Sequence, residues 1–166
     1  HFTFYGFQYV KVVQWYGEPQ LSNFAALSIY SDLTQTGFIT TSNREVNQVF
    51  SNTIWSQRDN FVDVPTDCPQ RNERMGWTGD AQNFVGTALF NMNSYAFYRK
   101  YLHDMYQYQM SENGSFVPNV IPSLQNRSEV KGGKVGWADA ATIMPWKIYL
   151  FTGKKQILEE QIDSMQ

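Results

Sequence analysis

Thr66 to Gln82 reads TDCPQRNERMGWTGDAQ. Within these seventeen residues Asp67, Glu73 and Asp80 are interleaved with Arg71, Arg74 and Trp77, on backbone broken by Pro69, Gly76 and Gly79. Irregular backbone carrying so many charges must pair or solvate each of them and also bear the entropy of being ordered. A plain connection has no need of such a burden, so this is the first place to look for chemistry.

The residues on both sides of it have helical periodicity. Upstream, Ser42-Asn43-Arg44-Glu45 fits a capping box, and Val46, Val49, Phe50 and Ile54 follow at helical spacing, which predicts a helix from about 43 to 60. Phe61 to Pro65 is an apolar, extended entry, with Pro65 biasing Val64 away from helix. Downstream, Ala81, Phe84, Val85, Ala88 and Leu89 predict an amphipathic helix begun near Thr78 to Asp80. A third helix is expected over about 94–112, with Phe97, Tyr98, Tyr101, Leu102 and Met105 on one side and Asn113-Gly114 as its stop. Phe116 to Pro122 returns to extended structure, and Ser123 to Gly136 reads as a long polar loop. Its Lys131-Gly132-Gly133-Lys134 run lacks the preceding strand of a phosphate-binding loop. Trp137-Ala138-Asp139-Ala140 opens a fourth helix that Gly153 closes, and a fifth begins near Lys154 with Ile157, Leu158 and Ile162 on one face. Helix after helix without βαβ strands indicates helical hairpins.

The first 38 residues differ in pattern. Phe2 to Val13, Ala25 to Tyr30 and Gly37 to Thr40 read as short strands, the first followed by the Gly17-Glu18-Pro19 turn. Three strands cannot bury both faces of a sheet, so they suggest the tail of a β-domain, with a boundary between Thr36 and Ser42. Two regions follow: 1–38 and 39–166. The chain starts in mid-pattern without an initiator Met, as an excised piece of a longer protein would. Its N-terminus has neither the basic nor the apolar region of a signal peptide.

Composition narrows the function. Hydrophobic residues at 42% against 17% charged favour a packed domain over disorder. A net charge of -2, with the basic residues scattered, argues against nucleic acid as a partner. No run approaches the roughly 20 apolar residues of a membrane span. Cys68 is the single cysteine, and no group of His, Cys, Asp and Glu has zinc or calcium spacing, so neither metal nor cofactor is expected. The sequons at Asn113 and Asn126 are short enough to arise by chance.

Paired carboxylates around a scissile bond are the working parts of glycoside hydrolysis. Asp67, Glu73 and Asp80 should repel one another and raise at least one carboxyl pKa, while Arg71 and Arg74 push the other way, so a glutamate between them could serve as a general acid. The alternative is an ion-pair scaffold that orders the loop, with Trp77 plugging the core; charge pattern alone favours it slightly. Trp15, Trp55 and Trp146 read as structural, Cys68 as a small buried residue and His103 as a partly exposed helical one.

Thr66 to Gln82 resembles TDCPQRDERLGWTGDAQ, the signature of the bacterial α-L-rhamnosidases of glycoside hydrolase family 78. The resemblance runs on through HFTFYGFQYVKV at the N-terminus, Ser31-Asp32, Thr36-Gly37-Phe38, Ser42-Asn43, Trp55, Gln57-Arg58, Asn60, Trp137-Ala138-Asp139-Ala140 and Pro145-Trp146. It implies a mainly α fold, the N-terminal half of an (α/α)6 catalytic barrel over 39–166, preceded at 1–38 by strands of a β-sandwich. The implied reaction is inverting hydrolysis that releases terminal α-L-rhamnose from a rhamnosyl glycoside. Glu73 matches the general acid, and Asp67, Arg71, Trp77, Asp80 and Trp137 match residues that bind the sugar. The general base would lie beyond Gln166, so the chain alone is expected to be inactive and to need the remainder of its parent chain. Two positions depart from the signature: Met75 for Leu conserves volume, and Asn72 for Asp removes a charge beside the acid. Asn72 keeps open a second reading, a sugar-binding protein without turnover.

Overall fold

The computed structural model describes residues 3–111, 116–123 and 132–166. The Asn113-Gly114 stop, both sequons and Lys131 lie outside the described residues. Five helices carry the fold: α1 (Arg44–Asn60), α2 (Thr78–Asn91), α3 (Tyr95–Gln109), α4 (Ala140–Thr152) and α5 (Gln156–Met165). Two-residue strands β1 (Phe61–Val62) and β2 (Val64–Pro65) pair antiparallel between α1 and the charged loop, turning at Asp63 with φ 66°.

Each helix begins and ends for a local reason. Asn43, rather than Ser42, caps α1, its side-chain oxygen accepting from the backbone of Glu45 at 2.8 Å and of Val46 at 3.2 Å. That moves Glu45 to the second helical position, one short of the place from which it could complete a capping box. At the other end of the fold, Gly153 at φ 68° takes the left-handed turn that closes α4. Trp137 to Asp139 form a turn ahead of α4 rather than its first residues.

α4 is the hub. Its sequence AATIMPWKIYLFT is apolar almost all round, and it packs against α2, α3 and α5, with α3 also against α5. Ala140, Ala141, Met144 and Ile148 of α4 enter one core with Ala81, Val85 and Ala88 of α2, Tyr98, Tyr101, Leu102 and Met105 of α3, and Ile157 of α5. The apolar faces expected for α2 and α3 are therefore inside. Phe61 completes the core, stacking on Phe97 at 4.4 Å and meeting Tyr98 edge-on at 5.7 Å. Between α3 and α5, Arg99 pairs with Glu160 and Gln109 with Ser164.

Some apolar periodicity does not translate into burial. Val46 and Val49 on α1 and Ile162 on α5 are exposed, and α5 buries Gln161 and Ser164 beside Ile157 instead. The inner contact of α1 is polar. Gln57, fully buried, donates to the Ala88 carbonyl and accepts from Asn91 at 3.0 Å, tying α1 to the turn between α2 and α3. Burying an amide is tolerable only with such partners.

The three expected N-terminal strands do not form among residues 3–40, which carry a short 3-10 turn at Leu21–Asn23 and one isolated bridge, Gln35 to Met92. A strand forms only when neighbouring N–H and C=O groups ladder with it, and among the described residues no continuous ladder lies alongside this segment. Residues 34–37 instead dock on the α2–α3 turn: Thr36 and Gly37 donate to the Asn91 carbonyl and Asn93 donates to that of Thr34. Likewise the segment before Pro122 forms a single bridge, Val120 to Trp77.

Gly76 marks the tightest crossing near the charged loop. A Cβ there would sit 2.2 Å from the Ile121 carbonyl oxygen, while the Gly76 carbonyl accepts from Tyr101 Oη and Ile121 N, each at 2.8 Å. Gly86, mid-helix in α2, meets nothing closer than 3.8 Å. Gly76→Ala should therefore destabilise by about 1–3 kcal/mol through overpacking, and Gly86→Ala should stabilise by about 0.5–1 kcal/mol through helix propensity. Urea unfolding midpoints of the two variants moving in the same direction would contradict this assignment.

Candidate functional site

The charged loop is closed on itself by one side chain. Asp67 N–H donates to the Met75 carbonyl at 3.0 Å, and the Met75 N–H donates back to Asp67 Oδ1 at 3.0 Å. Asp67 is nearly sealed from solvent, with its side chain 5% exposed, and spans the neck of the loop as a second backbone strand would. Within the loop Glu73 N–H donates to the Arg71 carbonyl at 2.8 Å.

Arg71 is the internal cation. Its Nε lies 2.8 Å from Glu73 Oε2 and 3.2 Å from Cys68 Sγ, and its Nη2 lies 3.4 Å from Asp67 Oδ2. The thiol contact and the Glu73 charge both push the guanidinium pKa up, so it is a fixed positive charge. One oxygen each of Asp67 and Glu73 and the Cys68 sulfur fall within 4.8 Å of one another, a grouping that spacing along the chain did not suggest. The Arg71 guanidinium reaches all three.

Arg71 was expected to share its work with Arg74. The structure separates them: Arg74 adopts φ 49° and turns to the N-terminal segment, donating to the Phe4 carbonyl. Asn72 is exposed and does not line the cleft described below.

The second wall comes from α2 and the turn before α4. Asp80 lies in the first turn of α2. Trp137 lies against Gly79, where a Cβ would come within 3.0 Å of its Nε1 and 3.1 Å of the Gly136 carbonyl. Gln82 donates to that same carbonyl, and Gly136 takes φ 84° to make the turn. A glycine in the first turn of a helix costs stability unless something must approach it; here an indole does. Gly79 and Gln82 are thus positioning residues that the reading of charges missed, although the glycine itself was a usable signal.

Asp67, Arg71, Glu73, Trp77, Asp80 and Trp137, all six of the side chains singled out in the sequence, line one open cleft of about 210 Å³. Trp77 is half-buried with its Nε1 unpartnered among the described residues, and Trp137 is 36% exposed. The Asp80 carboxyl is held above its ordinary value, first by partial desolvation against the cleft, then by the neighbouring Asp67 and Glu73 charges. The arrangement offers a carboxylate gripped by a cation, two further acids and two indole walls, which suits a small hydroxylated ring. A second hollow of about 300 Å³, between α1 and α2, shares Asp67 and Asp80 with the cleft.

Residues 34–166 match the bacterial alpha-L-rhamnosidase 6 hairpin glycosidase domain. The chain is 41% identical over 167 residues to an alpha-L-rhamnosidase of Formosa agariphila and 36% identical over 168 residues to one of Alteromonas sp., with 99% of this chain covered in both. It spans 18% of the length of each. Among solved structures, 81% of the chain superposes on the alpha-L-rhamnosidase of Streptomyces avermitilis complexed with L-rhamnose, at TM-score 0.75, 36% identity and 13% of that protein's length. The same share superposes on the enzyme of Dictyoglumus thermophilum at TM-score 0.73, 38% identity and 15% of its length.

The Asp80 shift has a consequence for stability. A carboxyl whose folded pKa lies above its unfolded one favours folding while protonated, and that contribution is lost as pH rises through the folded value. Asp80→Asn should therefore gain thermal stability relative to the unsubstituted chain as pH rises from about 3 to about 6. Melting curves across that range test this, and a difference between the two chains that stays constant or shrinks with rising pH would refute it.

Proposed function

The chain belongs to the bacterial α-L-rhamnosidase six-hairpin glycosidase family, with the helical hairpins of an (α/α)6 barrel, and on that premise we propose that its cleft is one half of the active site of an inverting α-L-rhamnosidase. The observation that carries the reading is the convergence of Glu73 and its five companions on a single cleft. Glu73 is the general acid: Arg71 holds one carboxylate oxygen at 2.8 Å, and the other delivers a proton to the leaving-group oxygen as the glycosidic bond breaks. Asp67, Arg71 and Asp80 accept from or donate to the sugar hydroxyls, and the Trp77 and Trp137 rings pack against its C–H faces and its 6-deoxy methyl group.

Inversion needs a second carboxylate roughly 6.5–9.5 Å from the acid, with a water between it and the anomeric carbon. Asp67 and Glu73 each place an oxygen within 4.8 Å of the other, too close to admit sugar and water between them. That pair is therefore not the acid and base, and on this reading, with Asp80 binding the sugar, the base comes from the longer parent chain and these 166 residues alone are inactive. On the same reading residues 39–166 are the first helices of the barrel, and 1–38 belong to a preceding β-sandwich domain whose strands would pair only with parts of the parent chain outside these residues. A rhamnosyl glycoside is the substrate. The scattered charge offers no track for nucleic acid, and among the described residues no helix is long and apolar enough to cross a membrane.

The full-length parent tests the role of Glu73. Glu73→Gln should lower turnover of a rhamnosyl disaccharide by about 10²–10⁴-fold and of an aryl rhamnoside with a good leaving group much less, because the better leaving group departs without a proton. Wild-type rates on both substrates would remove Glu73 from the mechanism.

A further inference from the structure

The motif contains two arginines, and the cleft uses one. We propose that Arg74 is a positioning residue that anchors the loop bearing Glu73 to the N-terminal segment, so that the segment at residues 4–6 sets where the acid sits. This rests on the reading of Glu73 as the proton donor.

Four observations converge. First, Arg74 is a non-glycine residue at φ 49°, in the left-handed region that costs a side-chain-bearing residue energy and persists only where surrounding contacts hold it. Second, among the described residues Arg74 pairs with no carboxylate, although Glu73 is its neighbour in the chain. Third, its guanidinium donates to the Phe4 carbonyl and lies over the Phe4 ring, 5.2 Å from the centroid. Fourth, Gly6 lies against the other side of the same loop. A Cβ there would be 2.9 Å from Gln70 Cα and 3.2 Å from the Pro69 carbonyl.

The N-terminal segment thus grips the loop at Pro69–Gln70 and at Arg74, on either side of Arg71 and Glu73. The left-handed turn at Arg74 sends residue 74 towards Phe4 while Glu73 lines the cleft. Asp67 closes the neck of the loop through Met75, but nothing in that closure fixes its far end. Contact with residues 4 and 6 does. An acid that is displaced by a fraction of its reach keeps its chemistry and loses its aim, and such displacement is felt in turnover before it is felt in binding.

The test uses the full-length parent chain, with initial rates on 4-nitrophenyl α-L-rhamnoside and on a rhamnosyl disaccharide. Arg74→Ala and Gly6→Ala should each lower kcat on the disaccharide by about 10–100-fold, leave its KM within about twofold, and lower kcat on the nitrophenyl substrate by much less. Arg74→Lys, which retains a donor for the Phe4 carbonyl without the flat guanidinium, should recover part of the loss. If Arg74→Ala does not fold, Gly6→Ala decides alone, because it leaves every charge in place. Glu73→Gln measured alongside separates the two readings. Should it show the leaving-group dependence while Gly6→Ala and a folded Arg74→Ala act equally on both substrates or on neither, the anchoring role is overturned and the acid survives. Should Glu73→Gln show no such dependence, both fall.

Discussion

The exchange of hydrogen bonds between Asp67 and Met75 is the constraint on which the site depends. An isolated loop of this length, rich in charge and broken by proline and glycine, would sample many conformations, and ordering it costs entropy for every residue. A carboxylate that accepts a backbone N–H while its own N–H donates back closes the loop at the neck, where few residues remain free to move. The same carboxylate then faces Arg71 on its second oxygen, so loop closure and charge placement are one arrangement. The ion pairs of Arg71 with Asp67 and Glu73 order the loop, and the loop so ordered lines one cleft with Asp80 of α2 and the two indoles.

That arrangement needs a rigid base, which the helices supply. α4 packs against three other helices and carries an apolar residue on nearly every side, so the core forms around it. The loop meets this core at Gly76, whose carbonyl accepts from the buried Tyr101 hydroxyl and whose missing Cβ lets the backbone at Ile121 cross at contact distance. On the opposite wall Gly79 performs the same service for Trp137. Both glycines in the motif are therefore spatial requirements of packing rather than hinges.

Much of this was legible in the residues. Period-3.6 apolar spacing located α2 and α3 and their buried faces because those faces meet a core inside this chain, and Gly153 marked the end of α4 because the left-handed turn leaves few other choices. The same periodicity misread Val46, Val49 and Ile162, since apolar spacing identifies a face without saying whether a partner covers it. The N-terminal strands were misread for a related reason: β-propensity describes a residue, whereas a ladder requires a second stretch of backbone. The polar attachment of α1 through Gln57 left no periodic trace, because a buried amide depends on three partners distant in the chain.

By itself the sequence determined the helical class and the order of the helices, because apolar periodicity and helix-stop residues are local, and the six side chains that share the cleft were named by the motif's resemblance to its family rather than by their charges or spacing. Tertiary structure decided the rest. It brought Trp137 across from the turn before α4, it assigned the interior cation to Arg71 and sent Arg74 to Phe4, and it placed Asp80 where partial desolvation and neighbouring acids hold its carboxyl above its ordinary value. Neighbouring residues of one charge are interchangeable on paper; what separates them is the sign of one backbone angle and the presence of Phe4 beyond it, and these are properties of chain path rather than of residue type.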